Sequence, residues 1–329
     1  MEVIKPIPDL PPGLRDAALR GTLIPFVGAG ASQIAGCPNW SEFADGALRH
    51  FVEQGKFNYG QLAQTSHLHP RVKLSIARAL QAEHNLRIDF RKVLYPTGRQ
   101  DNEKGRRLYG SLSKLGTTFV TTNYDQWLDT IISAPTQSLQ ANLDPALSSR
   151  EEARTVFYDV ANLTADNLRP NTVIHLHGSL INPASMILTT QDYVRHYAND
   201  RYAGGAGKEN NVLTFLDFLF RQRNVLFVGY GLDELEILEY VIGRARLTEE
   251  PGRTELRHFL LQGFFSHESE LANRLTPYYR ECGIELIPFL RDNQDWDQLI
   301  EVLTEFARLL PAAPPLKVQI LKEMEALLQ

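Results

Sequence analysis

Four short, uninterrupted apolar runs limit what this chain can fold into. They are "TLIPFVG", "TTFVTTN", "TVIHLHG" and "NVLFVGYG", and each ends in glycine or asparagine. Long segments of helical periodicity separate them. A strand that is apolar on both sides must be covered on both faces, and alternation with helices makes such strands parallel. Two further runs, "RHFLLQG" and "GIELIPF", lead towards helical patterns in the same way. The predicted fold class is therefore α/β, a Rossmann-like doubly wound parallel sheet.

The intervals between the runs are unequal. Residues from about 41 to 110 are helical in pattern and too long for one crossover helix, which predicts a helical insertion or a small helical lobe. A second excursion, about 181–223, contains "AGGAGKENN", a polar stretch suited to a loop. "DWDQLIEVLTEFARLL" reads as an amphipathic helix, then the breaker "PAAPP", then a last helix. The expected organisation is a catalytic domain over 1–310 and a C-terminal helix over 311–329. That helix serves either as an oligomer or partner arm or packs on its own domain.

With 329 residues, 43% hydrophobic and 22% charged, the composition is that of a soluble globular protein. The net charge of −5 offers no broad basic face, so direct nucleic-acid binding is not expected. No apolar run approaches the length of a membrane span, and the N-terminus lacks a cleavable leader pattern. The two cysteines, Cys37 and Cys282, fit a reducing, cytoplasmic setting and exclude a four-cysteine zinc module.

Ligands of an open parallel sheet bind at the carboxyl ends of its strands. All four strong runs carry distinctive residues there: Gly28, Gly30 and Ser32; Thr122, Asn123 and Asp125; His175, His177 and Gly178; Gly229, Tyr230, Gly231 and Asp233. A Gly-x-Gly turn opening a helix suits a pyrophosphate, and equally suits tight packing of strand on helix. Asn123 and Asp125 read as an Asx turn, or as an amide and a carboxylate that grip a carboxamide and a ribose hydroxyl. His175 and His177, two apart, share a face if the strand continues through them. A metal pair lacks a third ligand at a recognisable spacing, which leaves His177 as the general base and His175 as a supporting core residue.

Taken together these motifs resemble the sirtuin superfamily. The pattern Gly-Ala-Gly-x-Ser followed by Gly-x-Pro-Asp-Phe is similar to "GAGAS" and "GCPNW"; Gln-Asn-x-Asp is similar to "TNYD"; the His-Gly pair matches, and "GYG" corresponds loosely to a late glycine element. The similarity runs from Thr22 to Asp233 in order. The departures are Asn39 and Trp40 for Asp and Phe, Thr122 for Gln, and the absent zinc cysteines. The helical segments and "ILTTQDYVRHY" look more like the zinc-less bacterial sirtuin-like NADases of antiphage defence.

The resemblance implies NAD as a consumed substrate, with no zinc. It places the pyrophosphate at Gly28, Ala29, Gly30 and Ser32, and assigns Asn39, Trp40, Thr122 and Gly178 to the NAD site. Asp125 then holds the nicotinamide carboxamide, Asn123 the ribose and the water, and His177 acts as base. Gly229, Tyr230 and Asp233 line the adenosine end. It also implies a homo-oligomer, working with a HerA-type ATPase or an Argonaute-type defence partner. Two other readings remain from the sequence: an NAD-dependent protein deacylase, and a non-catalytic NAD or ADP-ribose sensor.

Overall fold

The computed structural model describes residues 3–96, 102–132, 153–197, 210–231 and 258–310. Asp233, residues 203–209 of the "AGGAGKENN" stretch and the 311–329 segment lie outside the described residues.

Seven parallel strands form one sheet: β1 (Leu23–Val27), β2 (Thr118–Thr121), β3 (Thr155–Phe157), β4 (Thr172–His175), β5 (Asn224–Val228), β6 (His258–Phe264) and β7 (Ile284–Leu290). Their order is β3-β4-β2-β1-β5-β6-β7. All six apolar runs are strands. The seventh strand, β3, was not expected. It has three partly exposed residues at the sheet edge and lacks the long apolar run that a buried strand requires.

Strand alternation builds two cores. Val27, Phe119, Val173, Leu226, Val228 and Phe289 face one layer, while Phe26, Val120, Ile174, Val225, Phe227 and Leu286 face the other. Helices cover both faces. α1 (Pro12–Leu19), α2 (Ala29–Ile34), α3 (Trp40–Glu53), α4 (Tyr59–Gln64), α5 (Pro70–His84), α6 (Phe90–Leu94) and α7 (Glu103–Leu115) come before β2. α8 (Thr190–Tyr197) and α9 (Asn211–Gln222) precede β5; α10 (Ser269–Glu281) and α11 (Gln298–Leu309) flank β7. Asn39, Asn58, Asp89, Asn102 and Asn210 each accept the backbone N–H of the residue three further on, so helix starts are written locally.

The long first interval divides at α7. This helix is the crossover that returns the chain to β2, and it is tied to the α11 region by Arg107–Glu301 (2.7 Å) and Lys104–Asp297 (2.5 Å). The material added to a plain crossover is α3–α6. Its Phe43, Leu48, Phe51 and Leu74 join the same buried cluster as Val27 and Phe119. The outer strand β7 carries Pro288, which has no N–H to offer, and the Leu290 amide donates to the Lys5 carbonyl (2.9 Å).

The strand order reverses between β1 and β5, which puts the crevice of the doubly wound sheet at the ends of these two strands. Phe227 lies at the centre of the second core, fully buried and in ring contact with Phe26 (5.2 Å) and Phe220 (6.2 Å). Phe227→Ala is expected to cost about 3–5 kcal/mol, measured as a lower urea midpoint with an unchanged slope.

Candidate active site

The small residues of "VGAGAS" admit another piece of backbone. The Gly28 amide donates to the Val228 carbonyl (2.9 Å), and the Gly30 amide to the Gly229 carbonyl (2.8 Å). A Cβ on Gly28 would lie 2.7 Å from the Gly229 oxygen and the Tyr230 Cα; one on Gly30 would lie 2.9 Å from the same oxygen. Gly229 itself has φ +59°, and a Cβ there would sit 2.3 Å from the Ala31 nitrogen. Strand and turn are thus tightly packed, and the amide hydrogens of Gly28 and Gly30 are donated within the protein. Tyr230 turns its ring into the core against Phe26 (5.0 Å) and Phe227 (5.7 Å), so this turn presents backbone to the crevice.

One turn further on, Ser32 joins β1 to β2. Its hydroxyl donates to Asp125 Oδ2 (2.5 Å), accepts from Asn123 Nδ2 (2.7 Å) and lies 3.2 Å from the Tyr109 hydroxyl of α7. The second Asn123 amide hydrogen goes to the Gly28 carbonyl (2.9 Å), and the Asn123 backbone N–H to Thr121 Oγ1 (3.0 Å). Both side-chain donors of Asn123 are therefore used, leaving its Oδ1 as the group to offer a hydroxyl or a water. Asp125 Oδ1 accepts the Trp127 N–H (3.1 Å), and Trp127 stacks flat on Tyr109. Burial pushes the Asp125 carboxyl above its usual value, against the opposing bonds from Ser32 and Trp127. Burial likewise pushes the Tyr109 phenol well up, so it is neutral at physiological pH.

The two histidines part company because β4 ends at His175 and His177 lies in the following turn. They do not share a face as a continued strand requires. His175 is fully buried, with Nδ1 2.8 Å from the Asn123 carbonyl and Nε2 2.9 Å from Asp129 Oδ1. Arg154 brackets this pair: its amide donates to the Asp129 carbonyl (2.8 Å) and its guanidinium to the Leu128 carbonyl (2.7 Å). Burial lowers Arg154 to about 10, which leaves it cationic at neutral pH.

His177 sits in an aromatic chamber. Its ring meets Tyr193 (5.1 Å) and Tyr197 (5.6 Å) edge-on and lies 6.5 Å from Tyr124. Nδ1 is 3.3 Å from the Tyr193 hydroxyl. Trp40, half-buried, stacks on Tyr124 (5.9 Å) and Phe43 (5.7 Å). From the inserted α5, Arg71 covers the Tyr193 ring at 3.5 Å, while Arg78 Nη1 reaches both carboxylate oxygens of Asp192 (3.1 and 3.0 Å). Gly178 has φ +78°, and any Cβ there would collide with the Ser185 carbonyl at 2.1 Å, so the turn that places His177 admits only glycine.

The structure thus brings Ser32, Asn123, Asp125, His177, Gly178 and Trp40 to one end of the sheet. Asn39 is a helix cap: its Oδ1 accepts the Glu42 N–H (2.9 Å) and its own N–H returns to Glu42 Oε2 (2.9 Å), a capping box. Thr122 is buried between the bonded Thr121 and Asn123. Sequence reasoning missed Tyr109, Tyr124, Asp129, Arg154 and Tyr193. Tyr124 carried a local signal in its place between Asn123 and Asp125, and Tyr193 lies within "QDYVRHY". Among the described residues no group of three His, Cys, Asp or Glu side chains is arranged to hold a metal. No helix among them is long and apolar enough to cross a membrane.

Comparison with known families matches the SIR2-like domain over residues 117–287, more than half of the chain. The chain belongs to the SIR2-like domain family. The matched segment starts at β2 and ends within β7, so it contains Asn123, Asp125, His175, His177 and the Gly229 turn. The glycine loop of this SIR2-like chain and its inserted helices precede the match. SIR2-like domains bind NAD and are typically NAD-dependent enzymes. A search of curated proteins returns no match.

Two outcomes follow for the SIR2-like fold. Gly229→Ala combines a left-handed backbone with a clash on Ala31 and is expected to cost about 2–4 kcal/mol, read as a lowered Tm. Asp125 binds its proton more tightly folded than unfolded, so its contribution to stability is present below the unfolded value, near pH 4, and is lost as pH rises through the raised folded value. Asp125→Asn should therefore gain stability relative to wild type as pH rises above about 4 in paired urea titrations.

Proposed function

We propose that this SIR2-like chain is an NAD glycohydrolase that cleaves the nicotinamide–ribose bond, giving nicotinamide and ADP-ribose. The reading rests on one observation: Ser32, Asn123 and Asp125 form a single buried hydrogen-bonded cluster. Tyr124 links it to the chamber of His177 at the carboxyl ends of the strands. A raised, buried carboxyl beside a fixed amide is an arrangement that costs stability and suits chemistry. Resemblance extends the proposal to an NAD-depleting effector of bacterial antiphage defence. It is placed in the cytoplasm as a homo-oligomer and with a HerA-type ATPase or Argonaute-type partner.

The residues divide the work as follows. Asp125 receives the nicotinamide carboxamide and turns the ring out of conjugation with the bond that breaks. Asn123, through Oδ1, holds a ribose hydroxyl and the water. His177 takes the proton as that water adds to the anomeric carbon, and the bonding pair leaves with the nicotinamide nitrogen, which becomes neutral. The cation built up on the ribose is oxocarbenium-like, as in glycoside hydrolysis. The first turn of α2, with Ala29 and Ser32, lies against the pyrophosphate, and the backbone of Gly229 and Tyr230 against the adenosine end. Gly28 and Gly30 serve by closing the β1–β5 turn, since their amide hydrogens are taken. Trp40 and Gly178 border the nicotinamide end.

Purified protein incubated with NAD alone is expected to release nicotinamide and ADP-ribose, followed by chromatography. His177→Ala and Asn123→Ala, checked for folding, should each lose about 100-fold or more in rate. Nicotinamide release that requires an acylated peptide would replace this reading with a deacylase. Tight NAD binding with no turnover, with or without candidate partners, would replace it with a sensor.

A further inference from the structure

We propose that Asp129 and His175 are positioning residues for Asn123: the His175 ring, held by Asp129, grips the Asn123 carbonyl and so aims the Asn123–Asp125 segment. The inference rests on the hydrolase reading for its kinetic consequence, but not for its geometry.

The placement of hydrogens follows from the partners. A backbone carbonyl only accepts, so the 2.8 Å contact to Asn123 requires a hydrogen on Nδ1. Nε2 faces a carboxylate oxygen at 2.9 Å, which also accepts when ionised. With both nitrogens facing acceptors, His175 carries two hydrogens and a positive charge, and Asp129 is its counterion. The surrounding groups agree. Burial works to lower the His175 value, but the Asp129 hydrogen bond and charge, the Asn123 carbonyl and the Asp125 charge together raise it above the ordinary one. The charged groups facing the pair are Asp125 on the segment it grips and Arg154, whose charge acts on Asp129.

A fully buried ion pair is an expensive way to hold a loop, since a well-packed apolar pair is often as stable or more so. What it supplies is direction. Asn123 is pinned at its amide by Thr121, at its side chain by Gly28 and Ser32, and at its carbonyl by His175. Only the last of these anchors is charged. His175 stands opposite Thr121 in the β2–β4 register, so the grip comes from a rigid neighbouring strand. Among the described residues Asp129 Oδ2 has no hydrogen-bond partner, which leaves the carboxylate committed to His175 through Oδ1.

The test uses the full chain with Asp129→Asn and His175→Gln, each checked for folding by circular dichroism and Tm; two variants guard against the loss of one. Nitrogen-15 histidine spectra at pH 7 should show both His175 ring hydrogens in wild type and one in Asp129→Asn. Amide hydrogen exchange at Asn123–Asp125, without NAD, should speed up in both variants. With NAD, kcat should fall by about 10- to 100-fold, the worth of a charged hydrogen bond. KM should stay within about twofold, since the anchored group acts in the transition state. A singly protonated ring in wild type overturns the proposal, as do folded variants with unchanged exchange and unchanged kcat. If wild type turns over no NAD, the hydrolase reading fails while the spectra and exchange still decide the grip.

Discussion

Everything at the crevice depends on β1 and β5 touching backbone to backbone. Gly28, Gly30 and Gly229 leave out three side chains, and the Gly30 amide closes onto the Gly229 carbonyl. This contact sets where α2 begins, and α2 carries Ser32 into reach of Asn123 and Asp125 at the end of β2. A side chain at any of the three positions would push the turn off α2 and break the cluster from below. The glycines thus act on the site at one remove, through the position of a single hydroxyl.

The site has two compartments with opposite characters. Around Ser32 the polar side chains are hydrogen-bonded to one another, with Asn123 Oδ1 left over, and the carboxyl is held against its preference for water. Around His177 the walls are aromatic, and its Nδ1 lies near the Tyr193 hydroxyl. Tyr124 belongs to both: its backbone lies between Asn123 and Asp125, its ring faces the chamber, and its hydroxyl is anchored on the Ile187 carbonyl (2.6 Å). Such a division suits a substrate with a flat heteroaromatic end and a polyhydroxylated neighbour. The inserted helices close the chamber from outside through Arg71 on Tyr193 and Arg78 on Asp192.

The sheet was legible because a strand buried on both faces leaves an unmistakable apolar run, and six of seven strands carry one. β3 does not, since an edge strand of three residues buries too little to need it. Asn123 and Asp125 were legible by position, just past a strand end. Asp129 and Tyr109 were not: a carboxylate in a loop and a tyrosine inside an amphipathic helix look like ordinary surface and core residues until the fold closes over them. A shared face for the two histidines held only if β4 continued through His177. The chain turns at Leu176 instead, which sends one ring under Asn123 and the other into the chamber. Gly28 and Gly30 illustrate a subtler limit, for a glycine pair records that something approaches closely without recording what.

The outer edge of β7 bears on how copies of this chain can meet. An open strand is normally a template on which another strand can add, and a seven-residue edge is long enough to invite it. Here Pro288 removes a donor from the middle of that edge, and Lys5 from the N-terminal segment occupies the Leu290 amide. Growth of the sheet by strand addition is therefore opposed on this side.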